Sequence, residues 1–154
     1  MTLPERALRG IAALRTLAAQ PPADRPVFAR AWWALLACRL RLRFPRLLGA
    51  RSLIVEELHR DGGDSPGPLD DRLFSLFNRA VRDHILAMPC LPRALALARY
   101  LRRHGVEGRL RVGMKKGDEG LRGHAWVESA GQPVNDPSEL ASSFVPFQSA
   151  GVEA

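Results

Sequence analysis

Leu8, Ile11, Leu14 and Leu17 recur every three residues, with arginines between them, and this spacing predicts an amphipathic helix over residues 3–19. Pro21, Pro22 and Pro26 end it. A second helical stretch is predicted from Val27 to Leu48, built around Ala31-Trp32-Trp33-Ala34-Leu35-Leu36-Ala37-Cys38 and kinked or closed by Pro45. The run from Asp61 to Pro68 is rich in glycine, proline and aspartate and reads as a loop. Beyond it, Leu73, Phe74, Phe77, Ala80, Val81 and Ile85 give a helical stripe over residues 70–86. Pro89 closes that element. A further helix then starts at Cys90, with Leu91, Ala94, Leu95, Ala98 and Leu101 on its buried face and Gly105 at its C-terminal end.

The period changes after Gly105. Leu110, Val112 and Met114 alternate with Arg109, Arg111 and Gly113, the mark of a half-exposed strand over residues 108–114. Residues 115–123, with Gly117 and Gly120, read as a connecting loop. Residues 124–129 and 132–136 read as a hairpin about Ala130-Gly131. The tail from Pro137 offers Phe144, Val145 and Phe147 for packing but has no clear period. The expected fold class is therefore α+β: N-terminal helices, then a helix bearing Cys90 against a small antiparallel sheet. The expected organisation is a basic helical region over 1–60, a loop over 61–69 and a core over 70–154.

Composition narrows the function classes. Two cysteines and no CxxC pair exclude a disulfide framework and argue against structural zinc. Arg9 and Arg15 interrupt residues 8–19, so no signal-peptide pattern is present and a reducing cytoplasm is the expected location. The apolar run at Ala31–Cys38 is shorter than the ~20 residues of a membrane span and is followed at once by Arg39, Arg41 and Arg43. A core helix is the favoured reading of that segment, ahead of membrane-surface contact. The net charge is +7, and residues 1–60 account for all of it with 11 arginines against Glu5, Asp24, Glu56 and Glu57. No base-reading motif accompanies the arginines, so a nucleic-acid partner is not expected. The excess charge reads first as a solvated helix face and otherwise, at Arg39, Arg41 and Arg43, as a candidate docking surface for an acidic partner.

The candidate chemistry lies in residues 61–154, where 12 basic and 12 acidic groups cancel. A cysteine at a helix start can be held as thiolate by the positive end of the helix. If the hairpin turn is centred on Ala130, His124 lies opposite Asp136, with Cβ atoms about 4.5–5.5 Å apart on one face. Asn135 is the rival third member, and a register slip of one residue favours it instead. Cys90 as nucleophile, His124 as base and Asp136 as the group that orients the imidazole make an acyl-transfer site that calls for no metal or organic cofactor. Cys38, His59, His84 and His104 lack such company. Cys38 reads as a core residue and His104 as a cation in the last turn of its helix.

Taken together, Cys90-Leu91-Pro92-Arg93-Ala94-Leu95-Ala96-Leu97, Leu101-Arg102-Arg103-His104-Gly105-Val106, Leu110-Arg111-Val112-Gly113 and His124-Ala125-Trp126-Val127-Glu128 resemble the lasso-peptide leader peptidases. These are transglutaminase-like, papain-related cysteine proteases. The likeness is specific over residues 88–136 and looser over 27–60. It implies the triad Cys90, His124 and Asp136. It also implies cleavage of a leader from a ribosomally made precursor peptide, freeing the core's amino terminus for macrolactam formation. The implied partners are that precursor, an asparagine-synthetase-like lasso cyclase and a separate leader-recognition protein, since residues 1–60 read as helices without strands. Two rivals stand beside it: a transglutaminase-like or amine-acylating thiol acyltransferase, and a non-catalytic partner or membrane-surface module.

Overall fold

Prolines and a left-handed glycine cut the N-terminal half into short helices. The computed structural model describes residues 3–59, 67, 69–118 and 120–147. Its first four helices are α1 (Leu3–Ala19), α2 (Arg25–Arg43), α3 (Pro45–Leu48) and α4 (Ala50–His59). The expected break at Pro45 falls where Phe44 leaves helical geometry (φ −123°). Gly49, at φ 62°, adds the turn that separates α3 from α4. The predicted loop at 61–68 lies outside the described residues apart from Gly67. Next come α5 (Asp71–Arg82) and α6 (Cys90–Arg103). Asp70 caps α5 by accepting from the Arg72 N–H. Gly105 (φ 73°) follows the last turn of α6, the place read for it from sequence.

The remaining elements are β1 (Arg109–Gly117), β2 (Gly120–Ser129), β3 (Gln132–Pro133), α7 (Ser138–Ser142) and β4 (Val145–Pro146). The four strands form one antiparallel sheet in the order β3-β2-β1-β4, and the chain is α+β. One expectation fails here. Residues 115–123 are mostly strand, because Met114↔Gly123, Lys115↔Arg122 and Lys116↔Leu121 continue the ladder to a closing pair Gly117↔Gly120. Their glycines and lysines suit a strand tip that projects into solvent, and composition alone read that as loop.

α6 lies between α2 and the sheet. It is buried nearly all round, with Ala94, Leu95, Ala96, Leu97, Ala98, Tyr100 and Leu101 inside, so its true contact surface exceeds the single stripe read from sequence. Phe28, Ala31, Leu35 and Cys38 of α2, Leu76, Phe77 and Ala80 of α5, and Leu110, Ala125 and Val127 of the sheet complete the same core. Each large aliphatic side chain buried there stabilises the fold by about 1.5–3 kcal/mol. Close approach is achieved with small residues. A Cβ on Gly108 would lie 2.9 Å from the Ala98 carbonyl oxygen, so β1 can start against α6 only without a side chain there. Buried Glu57 of α4 pairs with Arg102 and, at 3.7 Å, with Arg99, tying α4 to α6 through charge.

The opposite face of the sheet carries a smaller cluster of Trp126, Ala141 and Phe144. Phe144 is buried as the sequence suggested, whereas Val145 and Phe147 are exposed. Gly113 makes room for this cluster: a Cβ there would meet the Val145 carbonyl oxygen at 2.7 Å and the Trp126 ring at 3.0 Å.

Candidate active site

Cys90 is the first residue of α6, with Pro89 at the N-cap, and it is partly exposed. Its amide is among those at a helix start that find no acceptor within the helix. Arg93 follows one turn later on the same side. From there its Nη2 donates to Asp136 Oδ1 at 3.0 Å.

Asp136 reaches His124 by a route different from the expected one. Ala130 (φ 49°) and Gly131 (φ 75°) both take left-handed φ, which makes a two-residue turn of the primed hairpin type. The pairs are therefore Ser129↔Gln132 and Glu128↔Pro133, one residue away from the register that set His124 opposite Asp136. In an unbroken ladder that slip would send Asp136 to the far face. β3 instead ends after two residues, and residues 134–136 bend. The Val134 N–H still donates to the Val127 carbonyl (2.9 Å), but the Val127 N–H turns to the side chain of Asn135, whose Oδ1 accepts it at 2.7 Å. The amide side chain thus replaces a backbone acceptor, and the bend delivers Asp136 to the edge of β2.

There His124 Nε2 and Asp136 Oδ2 are 3.1 Å apart, with side chains only 15% and 8% exposed. Asn135 Nδ2 donates to the same Oδ2 at 2.7 Å. The carboxylate thus meets three donors: the Arg93 guanidinium, the Asn135 amide and, when Nε2 carries the proton, the imidazole. Asn135, weighed as a rival to Asp136, serves it instead.

Aromatic rings fix the imidazole plane. His124 stacks on Trp126 with centroids 6.2 Å apart at 15°, and the Phe144 ring lies 5.0 Å away. Trp126 shares the strand face of His124, as alternation required, and its Nε1 donates to Glu128 Oε1 at 3.1 Å. Arg111 holds Glu128 from the neighbouring strand at 2.8 Å. With Nε2 engaged by Asp136, the free ring nitrogen is Nδ1, which has no partner among the described residues. Cys90 Sγ likewise has no hydrogen-bond partner among the described residues, so the structure joins His124 to Asp136 and ties both to α6 through Arg93 without linking thiol to imidazole directly.

The other titratable candidates lie elsewhere. Cys38 is buried in the core, and burial pushes its thiol up to about 11. His84 is fully buried, its ring 4.7 Å from that of Trp32, and accepts the Leu86 N–H on Nδ1 at 3.0 Å. His104 caps α6 and packs against Tyr100. Burial lowers the pKa of both histidines, with Arg30 adding to the effect at His104. This weakens the reading of His104 as a fixed cation. Among the described residues no group of three histidines, cysteines or carboxylates is placed to hold a metal ion, and no helix is long and apolar enough to cross a membrane.

A thiol at a helix start on a sheet that carries a buried His–Asp pair also has a counterpart in sequence comparison. Residues 32–149 match the family model described as the Transglutaminase-like superfamily, a span that takes in Cys90, His124 and Asp136. The chain belongs to that superfamily. Its members are typically cysteine peptidases or transferases, and the fold is of the cysteine protease and acyltransferase type. No curated protein and no solved structure matches the chain.

Proposed function

We propose that this transglutaminase-like protein is a cysteine peptidase that removes the leader from a ribosomally made lasso-peptide precursor, in the cytoplasm. The observation that carries the peptidase reading is the His124 Nε2–Asp136 Oδ2 contact, held to the Cys90 helix by Arg93. The motif resemblance over residues 88–136 supports the narrower choice of substrate.

In this mechanism Nδ1 of His124 takes the Cys90 proton while Asp136 holds the ring and stabilises the imidazolium. The thiolate attacks the carbonyl carbon at the end of the leader, and the Cys90 backbone N–H at the helix start donates to the developing oxyanion. The imidazolium returns its proton to the departing amine, which becomes the core's new amino terminus. The leader remains as a thioester on Cys90. Water, deprotonated by His124, then hydrolyses that thioester and regenerates the thiol. The whole cycle uses side chains, a main-chain amide and water.

The implied partners are the precursor, a cyclase that consumes the freed amine and a recognition protein that presents the leader. The test is cleavage of the cognate precursor followed by mass spectrometry. Wild type is expected to release the leader, and Cys90→Ala is expected to leave the precursor intact. Release at the normal rate by Cys90→Ala refutes the peptidase reading. Superfamily membership equally favours transfer of the acyl group to an amine. A leader–amine adduct formed in place of free leader when amine is added would establish that alternative.

A further inference from the structure

The far end of α6 carries a charged feature that the thiol chemistry does not use. A groove of about 580 Å³ lies between α2 and the last turns of α6, with Arg30, Arg41, Arg99 and Arg103 along it. Ala34 and Ala37 form part of its floor, and the largely exposed Trp33 stands at its side. A smaller hollow continues it past Arg30 and Arg103 to His104. No carboxylate among the described residues lines either hollow. Among the described residues Arg30, Arg41 and Arg103 have no ion-pair partner, and Arg99 has only buried Glu57, which it shares with Arg102. The charges gather around one space: Arg41, Arg99 and Arg103 share the groove with Cys38, where buried Glu57 opposes them, and Arg30 shares the smaller hollow with His104. At 1.5 Å per helical residue, Arg99 and Arg103 lie roughly 14–20 Å along α6 from Cys90.

We propose that this groove is a docking site for an acidic peptide segment, its carboxylates taken by the arginine forks and its apolar side chains laid on the alanine floor. Gathering unpaired like charges around one cleft costs stability, and an anionic occupant removes that cost. Guanidinium groups bind carboxylates in bidentate fashion, which a lysine surface does not do. The combination of an apolar floor with cationic walls suits an amphipathic helix that has an acidic face. Single-stranded nucleic acid calls for several stacking aromatics. Here Trp33 is exposed but Tyr100 is buried, so the peptide is favoured. The sequence pointed to Arg39, Arg41 and Arg43 as a docking surface. Of these only Arg41 lines the groove, and two of its partners come from α6, which charge asymmetry along the chain does not reveal. The proposal does not depend on the peptidase reading.

The test uses the full chain and a fluorescently labelled peptide with Glu at i, i+4 spacing and Leu and Ala between. Binding measured by anisotropy is expected to weaken with added salt. It is also expected to fall about tenfold in Arg30→Gln/Arg103→Gln and to be unmoved in the charge-matched Arg79→Gln/Arg82→Gln on α5. Should the groove double variant fail to fold by circular dichroism, Trp33→Ala at its exposed position takes its place, with weaker binding expected at an unchanged melt. Cys90→Ala is expected to bind the peptide as wild type does, which separates this outcome from that of the cleavage assay. Absence of binding at low salt overturns the proposal, as does equal loss in the groove variant and its α5 control. A single-stranded oligonucleotide of equal charge, or anionic lipid vesicles, binding as tightly through the same arginines also overturns it.

Discussion

Arg93 holds Asp136: a guanidinium one turn into the Cys90 helix donates at 3.0 Å to the carboxylate that His124 binds through its other oxygen. The two residues are 43 apart in sequence, so this contact couples the helix start to the bend that follows β3. Arg93 is a positioning residue in this arrangement. Its removal is expected to free Asp136 to rotate away from the imidazole.

Arg93→Ala is therefore expected to lower kcat by about ten- to a hundredfold with KM nearly constant, the scale on which a small misplacement acts. Arg93→Lys is expected to recover only part of that loss, because an ammonium lacks the planar fork. Steady-state kinetics on the precursor separates the two parameters. A kcat unchanged in Arg93→Ala would show that Asn135 and the bend hold Asp136 unaided.

Asn135 carries both structure and site. In Asn135→Ala the Val127 N–H loses its acceptor next to the core, an expected loss of about 1–3 kcal/mol in urea unfolding. Asn135→Asp retains an acceptor for Val127 but replaces the donor to Asp136 with a second carboxylate. It is expected to unfold closer to wild type than Asn135→Ala does. Equal stability of Asn135→Ala and wild type would sink this account.

The two cysteines are expected to behave differently toward iodoacetamide. Near pH 8, Cys38 is almost wholly thiol, since burial pushes its pKa up to about 11, and it is also shielded from reagent. Native protein is expected to gain one adduct, on the partly exposed Cys90, and protein in denaturant two. Peptide mapping identifies the site. Alkylation of Cys38 at a comparable rate in the native state would mean that the α2–α6 interface opens readily.

His84 introduces a pH dependence of stability. Burial holds its folded pKa below the ordinary 6.5, so the unfolded chain takes up a proton more readily than the folded one. The sign follows. Its stabilising contribution is complete above about pH 6.5 and declines as pH falls below that value towards and through the lowered folded pKa. The urea midpoint is expected to drop on going from neutral to mildly acidic pH. His84→Asn, whose Oδ1 can accept the Leu86 N–H, is expected to flatten that drop. His104 contributes in the same direction, so some slope will persist. A wild-type midpoint independent of pH over this range would contradict the assignment.

Some helix boundaries were legible where proline or glycine marked them: Pro45 before α3 and Gly105 after α6 both lie where the chain turns, whereas α5 ends at Arg82, short of the expected residue 86 and of Pro89. The β1–β2 tip was not legible, because Lys115, Lys116, Gly117 and Gly120 carry loop composition and their strand character comes from cross-strand pairing alone. α7 and β4 span five and two residues, too few to show a period. Within the site, sequence brought His124 and Asp136 together, but through a register the structure displaces by one residue. The correct cause, Asn135 breaking the ladder with its own side chain, depends on a bend that alternation does not predict. Arg93 stood in the quoted motif without a role, since its partner becomes its neighbour only after α6 meets the sheet edge.

The bend at residues 134–136 also has a consequence for the growing chain. The Cys90 helix is synthesised well before Asp136, and the carboxylate reaches its place only after β2, the hairpin turn and the bend exist to carry it. Until residue 136 is made, the nascent protein has the Cys90 thiol but lacks the carboxylate that His124 binds in the folded chain. Under the proposed mechanism, competence for cleavage arrives with the last third of the fold, and a chain cut short before residue 136 contains the nucleophile but not the enzyme.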